Sequence, residues 1–150
     1  MDILYEAVAA TAQFFDDAVL LVLFMFLSIL VFEKRWSKRK KIILALCVAA
    51  VLAFSVKFIV GMPRPCTGSG GLLVACPGTP AFPSGHAAVA FTLMLGFMGK
   101  RTFPLFWLFA IYIAFTRIFL GLHTFDDIAG GLVIAPIAYH ITDIVWGGKK

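Results

Sequence analysis

A chain of 150 residues that is 61% hydrophobic and only 14% charged falls well short of the roughly 25% charge of a soluble domain. Its apolar stretches are too many for one soluble core, so composition excludes an ordinary globular protein and points to a polytopic membrane protein forming a single domain over residues 1–150. The net charge is +5, but each basic cluster abuts a hydrophobic span, which argues against nucleic acid as partner and for the lipid bilayer.

Residues 1–17 carry Asp2, Glu6, Asp16 and Asp17 with no Lys or Arg, among Ile3, Leu4, Val8, Phe14 and Phe15. They read as an amphipathic helix on the outer membrane surface, with a flexible tail as the alternative. They lack a basic leading region and a cleavage pattern, so no secretory signal is expected. The first span covers residues 18–32, a length of about 22 Å against a hydrocarbon core of roughly 30 Å. The helix is therefore expected to continue to Trp36, with Lys34 and Arg35 snorkelling. A tight basic turn at 37–41 leads to a second span over 42–61, with Lys57 near its outer end. Cys47 in this span reads as a small buried apolar residue.

Residues 62–82 break the pattern. Five of the seven prolines (Pro63, Pro65, Pro77, Pro80 and Pro83) fall in or just after this stretch, together with four glycines, which predicts a long loop. Cys66 and Cys76 both lie in it. They are either a disulfide, if the loop faces an oxidising compartment, or two free thiols; they make no zinc pattern, and no metal site is expected. A third span starts at Pro83-Ser84-Gly85-His86 and ends near Gly99. The fourth covers 102–120, where Pro104 is tolerable near the start. The fifth runs from near His123 to Trp146, with a possible kink at Pro136 and close helix contact at Gly130-Gly131. His140 and Asp143 read as an interfacial polar pair.

Ten of the 13 Lys and Arg residues lie at 34–41, 100–101 and 149–150, which the positive-inside rule assigns to the cytoplasm. The expected architecture is all-α: a polytopic transmembrane helix bundle of five spans plus the N-terminal amphipathic helix. Its N-terminus is outside and its C-terminus inside. The other three cations, Lys57, Arg64 and Arg117, stand at the opposite boundary, where topology does not call for them.

On this topology Lys57 and Arg64 close the second span, and Ser84, Gly85 and His86 open the third. Arg117 closes the fourth; His123 and Asp127 open the fifth. Ionisable groups at such positions need a reason. Taken alone, Arg117, His123 and Asp127 fit an interfacial loop with an ordinary ion pair equally well. Taken with the rest, three converging cations call for an anion, and the arginine fork suits phosphate oxygens. The helix start at Ser84 adds free N–H groups and a hydroxyl, and Gly85 lets backbone approach closely. His123, oriented by Asp127 at i, i+4, can attack phosphorus, and His86 can protonate the leaving oxygen. Charge alone does not fix which histidine attacks. The cations stabilise the transition state and take the place of Mg²⁺, so no cofactor is expected.

The pattern Lys57-x6-Arg64-Pro65, Pro83-Ser84-Gly85-His86 and Arg117-x5-His123-x3-Asp127 resembles the three-part signature of the type 2 phosphatidic acid phosphatase superfamily. Vanadium haloperoxidases and some soluble acid phosphatases share it. The resemblance covers residues 57–127, about half the chain. It departs from the family at Thr116, where serine is usual, and in having five spans rather than six. It implies a phosphohistidine on His123, His86 as acid and then base, and phosphate held by Lys57, Arg64, Arg117, Ser84 and Gly85.

The function expected is an integral lipid phosphatase in the plasma (inner) membrane, active on the extracytoplasmic face. Candidate substrates are isoprenyl diphosphate, phosphatidylglycerophosphate, phosphatidic acid and a lipid A phosphate. The short loops favour a small headgroup or a diphosphate. The alternatives are a catalytically silent anion-binding scaffold and a haloperoxidase-like oxidant.

Overall fold

The computed structural model describes residues 3–68 and 73–147, which form six helices and no strand. These are α1 (Ile3–Asp16), α2 (Ala18–Phe32), α3 (Trp36–Val60), α4 (Gly85–Gly96), α5 (Phe103–Phe119) and α6 (Phe125–Gly147). α4 packs against α3, α5 and α6, and α3 also packs on α6. The core gathers Leu21, Met25 and Ile29 of α2, Ile42 of α3, Phe91 and Leu93 of α4, and Phe106 and Ile113 of α5. Phe97 stacks on Phe106 with ring centroids 3.8 Å apart, tying the end of α4 to the start of α5.

Small residues let the helices approach. Ala45, Ala49 and Ala53 recur at i, i+4 on the buried face of α3; Ala49 and Ala53 meet Ala88, Ile134 and Ala138. Lys57 continues that same face one turn later, so its side chain is carried inward rather than to lipid. α3 and α6 are each long and apolar enough to cross a membrane. α1 and α2 meet at an 88° bend, and α4 and α5 are shorter apolar helices. Large apolar side chains such as Val51, Phe54, Leu108, Ile111, Val133 and Ile137 face outward, as a lipid-embedded surface requires.

Three expectations are corrected. The first span does not run on to Trp36: α2 stops at Phe32, Glu33 is extended, and Trp36 already belongs to α3, so residues 37–41 are helix rather than turn. Partners from elsewhere hold this break. The buried Glu33 carboxylate accepts from the Arg35 N–H and pairs with Lys100, while Arg39 donates to the Leu30 and Glu33 carbonyls at the end of α2. Burial works to raise the Glu33 carboxyl, but Lys100 and the Arg35 N–H hold it below its ordinary value. Cys47 is exposed on the outside of α3 rather than buried. Asp143 pairs with Lys41 across the end of the bundle rather than with His140.

Candidate active site

The end of the bundle opposite these basic residues gathers the C-termini of α3 and α5 and the N-termini of α4 and α6. Lys57, 7% exposed, donates from Nζ to the carbonyls of Pro80 at 2.6 Å and Ala81 at 2.8 Å, folding the long loop back over the end of α3. The disulfide joining Cys66 to Cys76 closes that loop, and the Cys66 side is buried against Ala12, Leu120 and Leu122. Arg64 lies on the loop and bridges its two strands of chain. Its Nε donates to the Thr79 carbonyl at 2.8 Å and its Nη2 to the Thr79 hydroxyl at 3.1 Å. Its Nη1 reaches the Leu122 carbonyl at 3.2 Å and His123 Nε2 at 3.1 Å.

Ser84 caps α4: its Oγ accepts from the Ala87 N–H, leaving the hydroxyl hydrogen free to donate. The Ser84 N–H donates to the Asp127 carbonyl at 2.9 Å, joining the start of α4 to the start of α6. That contact depends on Gly131, where a Cβ would lie 2.8 Å from the Ser84 carbonyl oxygen. A Cβ at Gly85 would meet nothing within 4 Å, so the backbone here faces open space. The groove beside it, lined by Ala18, Leu21, Ala53, Lys57, His86 and Val89, is otherwise almost wholly apolar. A cavity of about 530 Å³ lies at the other end of the bundle between Lys38, Lys41 and Tyr139, and none of the motif residues lines it.

α5 ends so as to return the chain over Arg117. Gly121 takes φ +70°, a left-handed value that glycine adopts freely, and the N–H groups of Leu122 and His123 both donate to the Arg117 carbonyl. His123 is thereby tied to the end of α5, and its side chain is buried. Its Nδ1 donates to Asp127 Oδ2 at 3.2 Å, which leaves Nε2 with its lone pair toward Arg64. Burial and the nearby Arg64 and Lys57 charges hold His123 well below the ordinary histidine value, against the opposing pull of Asp127, so the ring is neutral at neutral pH. Asp127 is fully buried, and among the described residues its Oδ1 has no hydrogen-bond partner. Among the described residues no three of His, Cys, Asp and Glu converge as metal ligands.

Arg64, His123 and Asp127 therefore form one connected line, with Lys57, Ser84 and Gly85 around it. Arg117 and His86 are held differently. Arg117, 1% exposed, donates to the Thr116 hydroxyl from Nε and Nη2 at 3.2 Å each and to the Ala12 carbonyl at 3.3 Å. Its Nη1 pairs with Asp16 Oδ1 at 2.7 Å. The Asp16 carbonyl is 3.2 Å from His86 Nε2. The three cations therefore do not stand without a carboxylate: α1 lies across the site and supplies one. Asp16 and Thr79 were missed because nothing in their local sequence marks them; each acts through a partner 101 or 15 residues away.

Residues 38–147 match the PAP2 superfamily. The chain belongs to that superfamily. Among curated relatives, YbjG of Escherichia coli, a candidate undecaprenyl-diphosphatase, is 29% identical over 110 residues, 71% of this chain and 56% of that protein. The decaprenylphosphoryl-5-phosphoribose phosphatase of Mycobacterium tuberculosis is 33% identical over 104 residues, 69% of this chain and 58% of its own. The chain spans a little over half the length of these two relatives. Among solved structures, Aquifex aeolicus LpxE superimposes with TM-score 0.77 at 27% identity, covering 95% of this chain and 87% of that one. The PAP2-type phosphatidylglycerolphosphate phosphatase of Bacillus subtilis shares the fold, with TM-score 0.71 at 18% identity over 100% and 80% of the two chains.

Proposed function

We propose that this PAP2 protein is an integral-membrane phosphatase that hydrolyses a lipid phosphate or diphosphate through a phosphohistidine on His123. The observation that carries the reading is the line Arg64–His123–Asp127: a neutral imidazole with Nδ1 held by a buried carboxylate and Nε2 facing a guanidinium. Nε2 attacks phosphorus, Asp127 stabilises the imidazolium character that develops, and Lys57, Arg64 and Arg117 take the charge on the equatorial oxygens. Ser84 and the N–H groups at the start of α4 complete the cradle, with Gly85 leaving room for it. His86 protonates the leaving oxygen, then takes a proton from the water that cleaves the phosphohistidine. The protein's own cations do what a divalent metal does elsewhere.

The chain crosses the inner membrane five times in this reading, with the site on the extracytoplasmic face, as the basic clusters at the other end favour. Among candidate lipids, polyprenyl phosphates and diphosphates are favoured over phosphatidylglycerophosphate, phosphatidic acid and lipid A. Both curated relatives bear names that refer to polyprenyl-linked phosphates, and the apolar groove beside His86 suits a hydrocarbon chain. The test is phosphate release in detergent, with EDTA present, across these lipids, combined with acid-labile, base-stable phosphate trapping on the protein. Release from the polyprenyl lipids with label on wild type and none on His123→Ala is expected. Label that persists in His123→Ala, or a strict requirement for Mg²⁺, would overturn the mechanism.

A further inference from the structure

Asp16 touches two members of the motif set at once, and it comes from a helix outside the motifs. Its carboxylate takes Arg117 Nη1 at 2.7 Å, and its carbonyl lies 3.2 Å from His86 Nε2. The other donors of Arg117 are largely engaged by Thr116 and Ala12. A phosphate oxygen can therefore gain a full hold on this guanidinium only at the expense of Asp16. The same residue occupies the proton donor assigned to the leaving group.

α1 is built to be separable. It meets α2 at an 88° bend, and Asp17 caps α2 independently through its carboxylate, which accepts from the Val19 and Leu20 N–H groups. Outside Asp16, α1 is held by the buried Ala9 and Ala12, by Phe15 against Phe24, Phe109 and Tyr112 and Tyr5 against Phe119, and by polar anchors at the Thr11–Tyr112 hydroxyl contact, at Gln13 donating to the Leu73 carbonyl and at the Ala12 carbonyl accepting from Arg117.

We propose that Asp16 is a gate: its carboxylate stands in for the substrate phosphate on Arg117, and substrate enters by exchanging with it as the last turn of α1 moves off the site. The inference rests on the phosphate-binding reading above. It makes the resting site self-neutralising and sets a selectivity: a ligand must offer a stronger partner for Arg117 than a carboxylate does. Phosphate dianions meet that demand, and carboxylate-headed lipids do not.

The test is equilibrium binding of orthovanadate to the purified protein in detergent. Asp16→Asn should bind at least about tenfold more tightly, since the charge-assisted bond that vanadate must displace is gone. Asp16→Ser serves if the amide variant does not fold. Glu6→Gln removes an exposed carboxylate from the same helix without touching Arg117 and should stay within about twofold of wild type. The double variant Tyr112→Phe/Gln13→Ala keeps every charge but loosens α1, and should also bind more tightly. Weaker binding by Asp16→Asn would make Asp16 a fixed positioning group and overturn the gate. So would tighter binding by Asp16→Asn with no gain in the loosened double variant, because charge alone would then explain it. Wild-type protein that binds no orthovanadate would overturn the phosphate reading itself, and the gate with it.

Discussion

Thr124 and Asp127 cap the start of α6 reciprocally: the Thr124 N–H donates to Asp127 Oδ2 at 2.8 Å, and the Asp127 N–H to the Thr124 hydroxyl at 3.4 Å. The same Oδ2 accepts from His123. One carboxylate oxygen thus starts a helix and orients an imidazole.

That double duty separates two variants. In Asp127→Asn the amide oxygen still caps Thr124, so the fold should survive, while the imidazole loses its anionic partner. Turnover should fall by about 10²-fold or more. Asp126→Asn, at an exposed neighbouring position, should stay within about threefold of wild type. Steady-state rates beside melting curves check both, and reversal of the two effects would contradict the His123–Asp127 assignment.

The acid side of the pH profile should be displaced. A neutral His123 is needed for attack, and its folded-state value lies below the ordinary 6.5, so the ring stays unprotonated as pH falls through that value. The acid limb of kcat/KM, which reports the free enzyme, should appear only below pH 6.5. A limb centred at or above 6.5 would mean that burial and the Arg64 charge do not govern this ring.

Gly131→Ala should be destabilising out of proportion to its size. The added methyl would meet the Ser84 carbonyl at 2.8 Å and the Ala87 side chain and Ala88 nitrogen at 2.9 Å, none of them a flexible chain end. Overpacking of this kind costs about 1–3 kcal/mol, and it pushes on the cap of α4. A lower melting midpoint together with weakened phosphate binding is expected. Gly147→Ala, where a Cβ meets nothing among the described residues, should change neither.

Sidedness can be read with a membrane-impermeant thiol reagent on intact cells, in a Cys47→Ala background after reduction. Cys76 is exposed and should label, whereas Cys66, 2% exposed, should label slowly. A cysteine placed at Ser37, exposed at the basic end, should not label. Labelling at position 37 from outside would invert the proposed topology and move the substrate pool to the inner leaflet.

Much of this was legible because it rests on local pattern. Apolar runs marked the helices α2 to α6, and the end of α3 differs from its expected position by only one residue, since Gly61 stops it. The motif residues were legible as charge in places where a membrane helix does not leave charge unused. What the sequence hid depends on distant partners. Glu33 looked like one more residue of a continuous helix until Lys100 and Arg39 met it. Asp16 looked like part of a surface helix until the bend at its end placed it on Arg117. Cys47 looked buried because a lipid-facing surface and a core have the same composition.

The shortness of α4 bears on the bilayer itself. Its 12 residues rise about 18 Å, well under a hydrocarbon thickness of roughly 30 Å. Ser84 and His86, at its first turn, are therefore set below the level that a full-length helix would reach. α4 has no exposed residue and is enclosed by α3, α5 and α6, so its shortness leaves a recess inside the bundle and not a short wall against the bilayer. A lipid phosphate must then leave the headgroup layer and enter between the longer helices to reach the cradle, so the depth to which a headgroup can descend becomes a variable of the reaction.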